Sequence, residues 1–281
     1  MTSSADPSQP SAPGSRVVTS LQNDTVKLVR SLEMRKVRRE TNLFAAEGMS
    51  LLVTARENGW RPKILVHGPG AGDNPKARGL ITWAREAGAD CLDVSAAVLG
   101  KIAAKDNPQS LIGVFEQRWI ALPDAAALAK PAPWVVLEGI RDPGNLGTIL
   151  RTADAAGVAG ILLLGQTCDP FAHEAVRASM GSVFAVPLAR IDEPAFQALA
   201  QGWPGTVVGT HLEGRSDFRA ATYAAPALLV MGTEGDGLTP SAAAACRSLV
   251  HIPMVGRLDS LNLAVATALM LYEIQRAVLK L

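Results

Sequence analysis

Residues 134–157 read WVVLEGIRDPGNLGTILRTADAAG, and this stretch decides the fold. Residues 134–137 form a continuous apolar run closed by Glu138 and Gly139, the pattern of a strand buried on both faces. Pro143, Gly144 and Asn145 follow as a turn, and Leu146, Ile149, Leu150 and Ala153 then recur at helical spacing. Asn145 reads as the N-cap of that helix and Gly157 as its C-cap. The alternation continues downstream, with apolar runs at 161–164, 183–186, 206–209, 227–231 and 249–252 and a final helix over about 261–279. Such strands alternating with helices predict an α/β fold with a parallel sheet covered on both faces. Ligands of such sheets lie beyond the C-terminal strand ends, so the loops to read follow residues 137, 231 and 252.

Those three loops hold the unusual residues. Arg151 lies about two turns into the first helix, off its apolar stripe; taken alone it reads as a surface arginine. GTEGDGLTP (232–240) sets three glycines in six residues around Glu234, which is either a turn residue or a site carboxylate; the glycines allow close backbone approach. In PMVGRLDSLNLAVATALMLYEIQR (253–276), Ser260 or Asp259 is placed to cap the last helix, with Leu261, Val265, Ala268, Leu269 and Tyr272 as its buried stripe. Asn262, an amide in the first turn of an apolar helix, needs a partner, and as a lone feature it reads as structural.

Upstream, strands are predicted at 43–46, 63–67, 90–93 and 111–115, with helices near 49–58, 76–87 and 95–102. ALPDAAALAKPAP (121–133), with three prolines, reads as a connection between two units. The division is a disordered tail over 1–18, a first domain over 19–118, a linker over 119–133 and a second domain over 134–281. A length of 281 residues suits about two domains, and 48% hydrophobic residues suffice for two cores. The formal charge of +1 excludes a uniformly basic nucleic-acid binder. It hides a local patch: Lys27, Arg30, Arg35, Lys36, Arg38 and Arg39 stand against Glu33 alone within 13 residues. That patch predicts contact with a polyanion, with Phe44 and Trp60 near enough to stack on bases.

Other chemistries lose support. The loop HGPGAGDNP (67–75) has dinucleotide-type glycines, but Val66 stands where a carboxylate belongs and Pro75 obstructs a prompt helix start. Four histidines and three cysteines show no metal-ligand spacing, and there is no G-x-S-x-G elbow. The apolar stretch 261–272, 12 residues containing Asn262, is short of the roughly 20 needed to span a membrane. The N-terminus lacks the apolar core of a secretory signal. Cys91, Cys168 and Cys246, odd in number and far apart, make no disulfide framework and place the chain in the cytoplasm.

With these loops in hand, the second half resembles the SpoU/TrmH family of RNA 2′-O-ribose methyltransferases of the SPOUT superfamily, over about residues 134–279. DPGNLGTILRTADAAG (142–157), carrying Asn145 and Arg151, is similar to the family's first motif, and RASMGS (177–182) to its linking segment. GTEGDG (232–237) is similar to the second motif, and IPM…DSLNLAVA…YEIQR (252–276) to the third. Ala264 stands where many members have a second serine. VKLVRSLEMRKVRRETNLFAAEG (26–48) resembles the entry of the substrate-binding domain often fused to this family, a small α/β fold similar to some ribosomal proteins.

The resemblance implies a C-terminal parallel-sheet domain with a trefoil knot, preceded by the smaller α/β RNA-binding domain. It implies methyl transfer from S-adenosylmethionine to a ribose 2′-hydroxyl of structured ribosomal or transfer RNA, without a metal. Asn145, Arg151, Glu234, Ser260 and Asn262 are then the catalytic set. Gly232, Ile252 and Leu261 hold the cofactor, and Lys27, Arg30, Arg35, Lys36, Arg38 and Arg39 bind RNA. It further implies a homodimer in which the arginine of one subunit faces the cofactor of the other. A base-methylating enzyme of the same superfamily and a non-catalytic RNA-binding or ribosome-associated protein remain as alternatives.

Overall fold

The computed structural model describes residues 17–103, 110–212, 214 and 216–279. The tail read as disordered lies, as far as residue 16, outside the described residues. The first half contains α1 (Asp24–Ser31), α2 (Arg35–Thr41), β1 (Leu43–Glu47), α3 (Met49–Glu57), β2 (Ile64–His67), α4 (Pro75–Glu86), β3 (Asp90–Asp93), α5 (Ala96–Ile102) and β4 (Leu111–Glu116). Its four-stranded sheet has the order β1-β4-β2-β3, with β4 antiparallel to both neighbours and β3 parallel to β2. Pro75 does not delay a helix: it occupies the first turn of α4, where the missing N–H costs nothing, and Asn74 caps it.

A short helix, α6 (Ala125–Leu128), interrupts the proline-containing connection. The second half then runs β5 (Trp134–Glu138), α7 (Pro143–Ala155), β6 (Gly160–Leu164), α8 (His173–Ala178), β7 (Leu188–Ile191), α9 (Glu193–Gly202), β8 (Val207–Thr210), β9 (Ser216–Asp217), β10 (Leu228–Met231), α10 (Pro240–Ala245), β11 (Ser248–His251) and α11 (Leu263–Ile274). The seven strands are all parallel, in the order β7-β6-β5-β10-β8-β11-β9. All five residues of both β5 and β6 are buried, as the near-continuous apolar runs predict.

Several expectations need correcting. The apolar run 183–186 is not a strand: Ser182–Phe184 is a buried 3-10 turn, and the strand begins after Pro187, at Leu188. α11 buries Leu263, Ala264, Thr267, Met270 and Leu271. The stripe assigned to its core side is outside, with Leu261, Val265, Leu269 and Tyr272 between 39% and 52% exposed. Thr267 reaches the inner face because its hydroxyl donates to the Leu263 carbonyl at 2.7 Å. The helix thus carries apolar side chains on its exposed face as well as on its buried one.

The two halves share one core. Phe44 and Trp60, read as free to stack on bases, are instead buried with Phe115, Phe171 and Phe184. Phe44 meets Phe171 at 4.7 Å between ring centroids, and Phe115 meets Phe184 at 5.0 Å; such pairs each contribute about 0.5–1.5 kcal/mol beyond area burial. The Trp60 indole donates to the Phe184 carbonyl at 2.8 Å, fixing the orientation of one half on the other.

Candidate functional site

The three loops predicted to carry chemistry do converge beyond the C-terminal ends of β5, β10 and β11. Asp142, not Asn145, caps α7: its carboxylate accepts the Asn145 N–H at 2.6 Å, with Pro143 just inside the helix. This correction matters chemically, because it releases the Asn145 side chain for other partners. The same shift occurs at α11, where Asn262 rather than Ser260 or Asp259 is the cap. Its Oδ1 accepts from the N–H groups of Ala264 and Val265 at 2.8 and 3.3 Å. Its Nδ2 then donates to Asn145 Oδ1 at 2.9 Å, and Asn145 Nδ2 donates to Glu234 Oε1 at 3.4 Å.

Glu234 also accepts the backbone N–H of Asp142 at 3.1 Å and that of Arg141 at 3.3 Å. Partial burial works against its charge, but the N–H groups of Asp142, Arg141 and its own residue, with the Asn145 amide, outweigh that and hold its pKa below the ordinary carboxylate value. Glu234, Asn145 and Asn262 thus form one hydrogen-bonded chain, each member from a different loop. Arg141 and Asp142 belong to it and were missed; the signal was there in Asp142-Pro143, an N-cap followed by its favoured first residue.

The 232–237 loop folds back sharply. Thr233 N–H donates to the Gly237 carbonyl at 2.9 Å, and a Cβ on Gly232 would lie only 2.0 Å from the Gly237 carbonyl carbon, so no side chain fits there. Behind the loop, buried Glu138 at the end of β5 accepts the Thr239 hydroxyl at 2.7 Å and its N–H at 2.9 Å, anchoring the loop to the sheet.

This loop and the 252–262 segment enclose a cavity of about 660 Å³, within the roughly 300–1,000 Å³ typical of small-molecule sites. Gly232, Ile252, Leu261, Glu234 and Ser260 all line it, with Met231, Met254 and Leu263 as apolar wall. Its carboxylates are Glu234, Asp236 and Asp259, and no Lys or Arg stands among its described lining residues. A mostly apolar cavity that also holds three carboxylates suits a molecule with an apolar body and a positive charge. Ser260 is exposed and donates to Asp259 at 3.3 Å.

Arg151 stands apart. It is exposed on α7, about 9 Å along the axis from Asn145, outside this cavity and without a hydrogen-bond or ion-pair partner among the described residues. Of the basic patch, Lys27, Arg30, Arg35, Lys36 and Arg39 are exposed. Arg38 is not part of that free surface. It is 4% exposed and ion-paired with Asp169 at 2.8 Å, and it also donates to the carbonyls of Leu32 and Glu33. A buried arginine so held ties α2 to the loop after β6; breaking such a pair costs about 3–5 kcal/mol. Among the described residues no three His, Cys, Asp or Glu side chains converge as a metal site, and no helix is long and apolar enough to cross a membrane.

Comparison with known proteins accounts for both halves. Residues 133–272 match the model of the SpoU rRNA Methylase family, and residues 23–113 match that of the MRM3-like substrate binding domain. The chain is 29% identical, over 92% of its length and 98% of the relative's, to the 23S rRNA (guanosine(2553)-2'-O)-methyltransferase RlmP of Bacillus subtilis. It is 31% identical, over 92% and 93%, to an uncharacterized tRNA/rRNA methyltransferase of Synechocystis. The crystal structure of an AdoMet-bound rRNA methyltransferase from Sinorhizobium meliloti superposes with a TM-score of 0.85 at 42% identity, covering 94% of this chain and 99% of that one.

Proposed function

The chain belongs to the SpoU rRNA methylase family and is an S-adenosylmethionine-dependent RNA 2′-O-ribose methyltransferase; we propose that it acts as a homodimer on ribosomal RNA in the cytoplasm. The observation that carries this reading is the hydrogen-bonded chain from Glu234 through Asn145 to Asn262 at the mouth of the 660 Å³ cavity. Ribosomal RNA is favoured over transfer RNA because RlmP, which the chain matches over 98% of the relative's length, is named for a 23S rRNA nucleotide. The free thiols Cys91, Cys168 and Cys246 accord with a reducing compartment.

S-adenosylmethionine supplies, when bound, a methyl group on a sulfonium that is already electrophilic, so the reaction calls for no metal. Gly232, Ile252 and Leu261 would hold it, and the acidic rim of Glu234, Asp236 and Asp259 suits its positive charge. Glu234, Asn145 and Asn262 lock the three loops in register, and Ser260 is at hand to position the nucleotide. The difficult step is activating a hydroxyl whose pKa is far above 7. Arg151 is a poor general base, since a guanidinium stays protonated below about pH 12. Its role is to clamp the neighbouring phosphate, orient the ribose and stabilise the developing alkoxide or, with that phosphate accepting it, help remove the hydroxyl proton.

Exposed and without a side-chain partner among the described residues, Arg151 is free to serve a second copy of the chain. The outward stripe of Leu261, Val265, Leu269 and Tyr272 gives that copy an apolar surface to cover. The assigned division is an RNA-binding domain over 19–118, a linker over 119–133 and a methyltransferase domain over 134–281, the last closed by a trefoil knot. Support for the knot comes from the chain order: after β11 adds outside β8, the chain returns as α11 to pack on α7 and β10.

The test is methyl transfer from labelled S-adenosylmethionine to unmodified total RNA, followed by nuclease digestion and nucleoside mass spectrometry. A 2′-O-methylated nucleoside in the ribosomal fraction is the expected result. A base-methylated product would overturn the ribose chemistry, and absence of incorporation would overturn the enzymatic reading.

A further inference from the structure

A second cavity, of about 910 Å³, lies between α2 and the loops that follow β5 and β6. Its charge is one-sided. Arg35, Arg39, Arg141 and Arg190 line it, and its one carboxylate, Asp169, is already paired with Arg38. In a chain of formal charge +1, four uncompensated guanidiniums around one groove are a local concentration of charge. All four are exposed. Arg35 alone has a partner among the described residues, donating to the Thr167 carbonyl at 3.1 Å; the side chains of Arg39, Arg141 and Arg190 make no hydrogen bond or ion pair among them.

Two features mark the groove as a built site. The Arg190 guanidinium lies over the Trp119 ring, 4.0 Å from its centroid, and Trp119 is itself braced edge-on by Phe171 at 5.3 Å. A flexible side chain is thereby held flat, with its other face turned from the indole, the orientation that stacks on a base or forks onto a phosphate. The groove is also continuous with the methyl-transfer site. Thr233 lines both cavities, and a smaller one of about 340 Å³ between them is bordered by Thr233, Arg141, Asn145 and Glu234.

We propose that this groove, and not the outer face of α1 and α2, carries the RNA strand flanking the target ribose, with Arg39, Arg141 and Arg190 as its phosphate and base ligands and Trp119 as the residue that positions Arg190. The proposal rests on the reading of the chain as an RNA 2′-O-methyltransferase, and it assigns RNA contacts to residues on both sides of the linker. Electrostatic contact of this kind is read in the salt dependence of binding, each neutralised phosphate adding about 0.7–0.9 to the slope of log K against log salt.

The experiment measures binding of an in vitro 23S rRNA transcript to the full chain across a salt series, alongside KM and kcat for methyl transfer. The double variant Arg141→Gln/Arg190→Gln is expected to bind about tenfold weaker per arginine, to lose about one to two from the salt slope, and to raise KM more than it lowers kcat. Trp119→Leu is expected to mimic Arg190→Gln and to add little on top of it. The control is Lys27→Gln/Lys36→Gln, which removes the same charge from outside the groove; thermal melting checks that each variant is folded. Wild-type affinity and slope in the groove variant, or an equal loss in the control, would overturn the inference while leaving the enzymatic reading intact. Slopes that fall as expected without methyl transfer by the wild type would leave the groove standing and overturn that reading instead. A wild-type chain that binds no RNA would overturn both.

Discussion

Replacing Leu269 by Asp tests whether the outward face of α11 is covered by a second copy. Leu269 is 40% exposed and lines none of the cavities around the site. That fraction of a leucine is on the order of 70 Å² of apolar surface, and covering it contributes about 2 kcal/mol at about 25 cal/mol per Å². A two-fold interface uses the patch twice, so its loss costs about 4 kcal/mol, close to three powers of ten in the dimer Kd. Two carboxylates driven into an apolar interface add to that. In the monomer the position faces solvent, where the change costs only about 0.5 kcal/mol of helix propensity. The assay is sedimentation or light scattering over a concentration series, with melting temperature as the fold check and methyl transfer measured on the same samples. The variant is expected to be a folded monomer whose turnover falls with its dimer fraction. A variant that dimerises with wild-type affinity, or a monomer turning over at the wild-type rate, would refute the reasoning.

Three further outcomes are expected. Arg151→Ala and Glu234→Ala, each inactive alone, should regain about one quarter of wild-type activity when unfolded together and refolded as mixed dimers, because half the dimers are mixed and each then has one intact composite site; an arginine acting within its own subunit gives no recovery. Asn262→Ala should lose about 1 kcal/mol of stability with its cap, whereas Asn262→Asp should keep the cap and lose the donor to Asn145, so that melting is preserved while turnover falls; equal activity in Asn262→Asp and wild type would dismiss the Asn145 contact. Because folding lowers the Glu234 pKa from its ordinary 4.5, its ionised form contributes stability at neutral pH that is lost as acidification carries it through the native value. The melting-temperature gap between wild type and Glu234→Gln should therefore close below pH 4.5, and a gap that widens on acidification would contradict the assigned contacts.

Much of this was legible from local pattern. The runs at 134–137, 161–164 and 227–231 fall on β5, β6 and β10 because strands buried on both faces leave little choice of residue. The loops carrying Asn145, Glu234 and Asn262 were legible because the strand order of an α/β sheet dictates where ligands sit. What failed was whatever depends on a neighbour. VFAV at 183–186 is as apolar as a strand, but Pro187 ends it and its burial comes from the aromatic cluster shared with the first half. In α11 nearly every position is apolar, so sequence alone cannot separate the face that packs on α7 from the face left outside. Arg38 reads as one more charge in a basic run until Asp169, 131 residues away, is seen to pair with it. The caps were displaced because polar residues crowd both helix starts, and which one caps is decided by where the first turn closes.

The aromatic cluster and the Arg38–Asp169 pair have a consequence for how an RNA is chosen. Were the first half tethered by a loose linker, it would recruit any RNA displaying its preferred element and let the second half search nearby for a ribose. It is instead clamped through Trp60, Phe184 and a buried ion pair, so that, with the first half read as the RNA anchor proposed above, it serves as a ruler of fixed length. A transcript must present its anchoring strand and its reactive sugar at one separation and one mutual angle. On that reading, two sites with the same nucleotide in differently shaped helices are told apart by shape, and a transcript lengthened between anchor and target is expected to be methylated more slowly.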